Sequence, residues 1–131
     1  MKNLNDGFLK GRLRSLKFAL KGMWLLITTE DSIKAQCFFA IVLTIMGFIF
    51  AISATEWMLQ CLAIGLVLVA ESLNTAIEKI ADFIHPTYHK KIGFIKDISA
   101  GASSFAAIIS LVVVAIIYFS KIAVFFGDAI L

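Results

Sequence analysis

The stretch LVLVAESLNTAIEKIAD, residues 66–82, decides the fold. Its aliphatic residues would carry a helix through a bilayer, yet Glu71, Asn74, Glu78 and Asp82 interrupt them. At about 100° per residue these four positions fall within an arc of about 80°. A charged group at bilayer depth costs about 2.5–3.5 kcal/mol on insertion scales, so a membrane helix that keeps such a stripe uses it. The competing reading is structural: the acids are buried partners of Lys79 or Lys96, or a proton relay. For Asp82, close to the membrane boundary, solvation or helix capping is the simpler reading.

The rest of the chain fits a membrane setting. It has 131 residues, 60% of them hydrophobic, with a mean hydropathy of +0.94. Soluble domains hold roughly 45–50% apolar residues. One small all-α integral membrane domain, residues 1–131, is expected, with no linker or low-complexity segment. Seven of the twelve Lys and Arg fall in residues 1–34, and Lys79, Lys90, Lys91 and Lys96 lie between apolar runs. Basic residues that flank apolar spans argue against a nucleic-acid partner. The long apolar run begins only after residue 34, so no cleavable signal peptide is expected.

The periodicity predicts an N-terminal amphipathic helix over residues 8–29. Leu9, Leu13, Leu16, Leu20, Trp24 and Ile27 share one face, with Lys10, Arg14, Lys17 and Lys21 beside them. That pattern fits a helix lying in the headgroup layer, and equally a bundle helix packed on the spans. Three transmembrane helices follow, over 35–54, 57–81 and 98–120, since about 20 apolar residues cross a bilayer. Residues 53–56 form a turn without Lys or Arg, and a loop holds Pro86 and Gly93. The positive-inside rule then places the N-terminus and residues 82–97 in the cytoplasm. Cys37 and Cys61 fall at opposite faces and are not expected to pair.

Depth divides the stripe. With 1.5 Å of rise per residue, Glu71 lies about 21 Å from Trp57 and Glu78 about 31 Å from it, at the cytoplasmic boundary. Glu30 and Asp31, then Lys96 and Asp97, precede the first and third spans at that same level. Carboxylates and an amide oxygen are hard ligands suited to Mg²⁺, which takes one or two carboxylates together with phosphate oxygens. No zinc ligand set, phosphate loop, dinucleotide fingerprint or nucleophile elbow is present. The small residues at 100–104 most simply mean close helix packing.

The run Glu71-Ser72-Leu73-Asn74-Thr75-Ala76-Ile77-Glu78, then Asp82, then Lys96-Asp97-Ile98-Ser99-Ala100-Gly101-Ala102, resembles the small prokaryotic diacylglycerol kinase family, which includes undecaprenol kinases. The resemblance extends from about Lys21-Gly22 through Glu30 to the end of the third span. It implies a homotrimer in the bacterial inner membrane, with active sites built between subunits. It implies ATP-dependent phosphorylation of diacylglycerol to phosphatidic acid, or of undecaprenol. By that resemblance Glu71 is the base that takes the lipid hydroxyl proton and Asn74 orients the site. Glu30 and Glu78 hold Mg²⁺. Lys96, Asp97, Tyr88 and His89 contact ATP, and Trp24 and Ala100 face the lipid. Thr87 stands where an acidic residue is common, and Gln36 and the register around Gly11 and Arg12 also differ from the best-known pattern. A reading outside kinase chemistry is a small ion-coupled transporter with Glu71 as the coupling site, which requires no nucleotide.

Overall fold

The computed structural model describes residues 7–128, which form four helices and no strand. Helix α1 spans Phe8–Thr29, α2 Asp31–Ile49, α3 Ala54–Ile84 and α4 Lys90–Asp128. Three of them are long and apolar enough to cross a membrane: Asp31–Ile49, Ala54–Ile84 and Lys90–Phe125. The N-terminal helix followed by three spans matches the expected architecture.

The helix ends differ from the expected 35–54, 57–81 and 98–120, for two physical reasons. The first is chain geometry at the end of α2. Ala51 adopts a left-handed backbone with φ 45°. Its N–H donates to the Phe48 carbonyl, and the Ile52 N–H donates back to Gly47 at 3.1 Å. This is a Schellman stop, which satisfies the last carbonyls of the helix. It ends α2 at Ile49 although the sequence stays apolar beyond it. The second reason is length. The 31-residue α3 measures about 46 Å, well beyond the roughly 30 Å hydrocarbon core, so hydropathy alone misses its ends. The loop between α3 and α4 is correspondingly short, residues 85–89.

Helix α3 starts on a capping box. Ser53 Oγ accepts from the Glu56 N–H, and the Glu56 carboxylate accepts from the Ser53 N–H. Glu56 also pairs with Lys121 of α4 at 3.4 Å, which fixes α4 at the turn end of the bundle.

Helices α3 and α4 run antiparallel and carry most of the packing. Gln60 is fully buried; its Nε2 donates to the Leu43 carbonyl of α2 at 3.1 Å, while Tyr118 Oη donates to Gln60 Oε1 at 2.7 Å. Three helices therefore meet on one buried polar knot. Ser110 Oγ donates to the Ala63 carbonyl at 3.0 Å. Where water is absent, such donors must find partners inside the protein. Gly47 is needed near the turn, because a Cβ there would lie 2.6 Å from Trp57 Cη2.

Helix α1 has no buried residue. Leu9, Leu13, Leu16, Leu20 and Trp24 remain exposed, so most of its apolar stripe is not covered by this chain's own spans. The end of the helix approaches them, with Leu26 and Ile27 lining a groove beside Ile33 of α2 and Leu68 of α3. Both Cys37 and Cys61 are free, as expected.

Candidate active site

The stripe on α3 faces α4 and the start of α2. An open recess of about 280 Å³ is lined by Gln36, Glu71, Asn74, Ala100, Ser103, Ser104 and Ala107. Glu71 and Asn74 thus meet in one space, with Ala100 forming part of its wall. Glu71 is half-buried, and Ser103 Oγ donates to its Oε2. Asn74 is buried; its Nδ2 donates to Glu78 Oε1 at 3.2 Å. The opposite atom, Asn74 Oδ1, is buried and has no hydrogen-bond partner among the described residues. A buried oxygen without a donor is expensive, and it marks a place where a ligand group fits.

An apolar groove of about 400 Å³ between α2, α3 and α4 continues the recess toward the turn end. The two share Gln36 and Ala107. The groove's walls include Phe39, Leu43, Val67 and Val114.

Toward the loop end the chemistry turns ionic. Lys96 Nζ on α4 pairs with Asp82 Oδ1 at 2.9 Å, and Glu78 adds to the field at Lys96. Asp97, the next residue, is exposed. Glu30 occupies the joint between α1 and α2, in extended backbone with φ −101° and ψ 117°. That break in the helix turns its carboxylate toward Thr29 Oγ1, at 2.7 Å, and Lys79 Nζ, at 3.0 Å. The hydrogen bond from Thr29, then that from Lys79, holds its carboxyl below the usual carboxylate range. It is ionised at neutral pH.

The two carboxylates expected to hold Mg²⁺ are therefore differently engaged, Glu30 by Lys79 and Glu78 by Asn74. Among the described residues no three His, Cys, Asp or Glu side chains converge on one point. The donor set still fits Mg²⁺, which needs only one or two carboxylates when phosphate oxygens complete its shell. Glu30 already holds one cationic group, the Lys79 ammonium, whose side chain is largely exposed, so a metal ion would compete with that ammonium for the same carboxylate.

The other site residues lie further out. Tyr88 is 91% exposed in the loop. His89 accepts the Lys91 N–H on Nδ1 and lies against His85 with ring centroids 5.1 Å apart and planes tilted by 45°. Trp24 is exposed on α1. None of the three lines the recess. Ser103 lies in the run of small residues at 100–104, and nothing in the sequence pattern singles it out as the neighbour of Glu71. The signal that finds it is register. The contacts Asp82 to Lys96, Glu71 to Ser103, Ala63 to Ser110 and Gln60 to Tyr118 step along α3 and back along α4 in one antiparallel order.

The family model described as prokaryotic diacylglycerol kinase matches residues 17–118. An undecaprenol kinase of Bacillus subtilis (strain 168) is 34% identical over 109 residues, which is 83% of this chain and 89% of that protein. A diacylglycerol kinase of Haemophilus influenzae is 30% identical over 96 residues, 73% of this chain and 80% of that protein.

Proposed function

The chain belongs to the prokaryotic diacylglycerol kinase family, multi-pass membrane phosphotransferases that act on a lipid with ATP as donor, and we propose that this one phosphorylates the hydroxyl of undecaprenol. The observation that carries the reading is the division of α3. Glu71 sits in a recess that opens on an apolar groove, while Glu78 stands two turns nearer the loop, beside Lys96. A lipid hydroxyl reaches the first without leaving the membrane, and ATP reaches the second from water. The greater identity and coverage favour undecaprenol. Diacylglycerol, first in the reading of the sequence motif, is the second substrate, carried by the similarity to the Haemophilus influenzae enzyme.

In the reaction the lipid O–H gives its proton to the Glu71 carboxylate. The lipid oxygen bonds to the γ-phosphorus, the bond from that phosphorus to the bridging oxygen breaks, and ADP leaves with the electron pair. Phosphoryl transfer asks mainly for alignment and charge neutralisation. Lys96, Asp97, Tyr88 and His89 contact the nucleotide in this account, with Lys96 offsetting phosphate charge. Asn74 holds Glu78 in place. Glu30 and Glu78 would hold Mg²⁺, which would supply further neutralisation of phosphate charge. Trp24 lies in the headgroup layer and Ala100 leaves room for the lipid.

The same reading includes a homotrimer in the bacterial inner membrane, its basic α1 and loop 85–89 in the cytoplasm. It is supported by how little of each span one chain buries: 11%, 28% and 17% of the three apolar windows. The test is a pair of variants in mixed micelles. Glu71→Gln should lower turnover by about 10²–10⁴-fold, the usual weight of a general base, and leave ATP binding intact. Glu78→Gln should weaken Mg²⁺-dependent ATP binding. A Glu71→Gln protein with near-normal turnover refutes the base.

A further inference from the structure

We infer that Ser103 is a positioning residue for Glu71, fixing which of the two carboxylate oxygens receives the lipid proton. The inference rests on the kinase reading above and deepens it.

Glu71 lies on α3 and Ser103 on α4, so this hydrogen bond crosses between helices. Ser103 is buried, 8% exposed, and Glu71 half-buried, so the bond is partly shielded from competing solvent. Gln36 shares the recess with Glu71, and the other polar side chains near Glu71 are committed elsewhere. Ser72 Oγ donates to the Leu68 carbonyl of its own helix at 2.6 Å, and Ser104 Oγ to the Ala100 carbonyl at 2.9 Å. Asn74 Nδ2 is taken by Glu78. Lys96 is held by Asp82. Among the described residues, the hydrogen bond to Glu71 comes from Ser103.

A glutamate on a helix has three rotatable bonds, and an untethered carboxylate would sample several poses in an open recess. Ser103 engages Oε2 and so removes that freedom. Oε1 is left to accept from the lipid hydroxyl. A base held in the geometry of reaction gains rate through orientation, and a displacement of about 1 Å can cost about 10²-fold. The bond also ties the base to the register of α3 on α4, so the reacting oxygen keeps its depth in the membrane.

The experiment uses the full chain in mixed micelles with ATP, Mg²⁺ and undecaprenol. Ser103→Ala should lower kcat about 10- to 100-fold while KM for ATP changes less than about twofold. Ser103→Thr, which keeps a hydroxyl, should recover most of the rate, and Ser103→Cys, a weak donor of similar size, should fall between. In a Glu71→Gln background Ser103→Ala should change the residual rate less than about twofold, because the pair acts as a unit. Tyr118→Phe is the control for a lost hydrogen bond between the same helices: it should lower thermal stability and spare kcat. If Ser103→Ala does not yield folded protein, Ser103→Cys carries the test. A Ser103→Ala or Ser103→Cys protein with wild-type kcat overturns the inference, as does an equal loss in the Glu71→Gln background. A wild-type protein that phosphorylates neither undecaprenol nor diacylglycerol overturns the kinase reading, and the role of Ser103 with it.

Discussion

Ala51 sets where the first span ends. A non-glycine residue in the left-handed region carries a strain of roughly 1–2 kcal/mol, and it is tolerated because the stop satisfies helix carbonyls. Replacing it with glycine, Ala51→Gly, should raise stability by about 1 kcal/mol in thermal unfolding from detergent. Four residues earlier the direction reverses. Gly47→Ala places a Cβ against the Trp57 ring and should destabilise by about 1–3 kcal/mol. A lower melting temperature for Ala51→Gly, or an unchanged one for Gly47→Ala, contradicts this account of the turn. Neither feature was legible in the sequence. Apolar residues run through the turn without a break, and nothing local in the sequence marks Ala51 as the residue that turns left-handed.

At the scale of elements, buried polar groups join the three spans beside an apolar cluster around Ile52, Ile117 and Tyr118. Tyr118→Phe removes the hydroxyl that serves Gln60 and leaves Gln60 Oε1 without its donor. The cost should be about 1–3 kcal/mol, read as a lower melting temperature with kcat retained. The capping box at Ser53 is worth about 1 kcal/mol, which Ser53→Ala should show. The spacing of Ser53 and Glu56 was open to reading as a cap; it passed for a turn because hydropathy fixed the span at Trp57. The stripe on α3 was legible because helical phase is a local property. Its partner on α4 was not. Ser103 belongs to a run of small residues that fits any close helix contact, and only the register of α3 on α4 selects it as the neighbour of Glu71. Glu30 shows the same limit: its position was visible, whereas its pairing with Lys79 follows from the break between α1 and α2.

The whole molecule is an unfinished surface. Spans that bury between 11% and 28% of their apolar windows need lipid or further copies around them. The proposed trimer predicts a native mass three times the chain mass of 14.4 kDa, once bound detergent is removed in the gas phase. A monomer with full activity would refute sites shared between subunits. In the proposed reaction a carboxylate inside the membrane meets a nucleotide at its edge. The most direct measurement is transfer of label from γ-labelled ATP, with Mg²⁺, to undecaprenol and to diacylglycerol by the folded wild-type protein. The account predicts labelled lipid phosphate, more from undecaprenol than from diacylglycerol. Folded protein that labels neither lipid would contradict it.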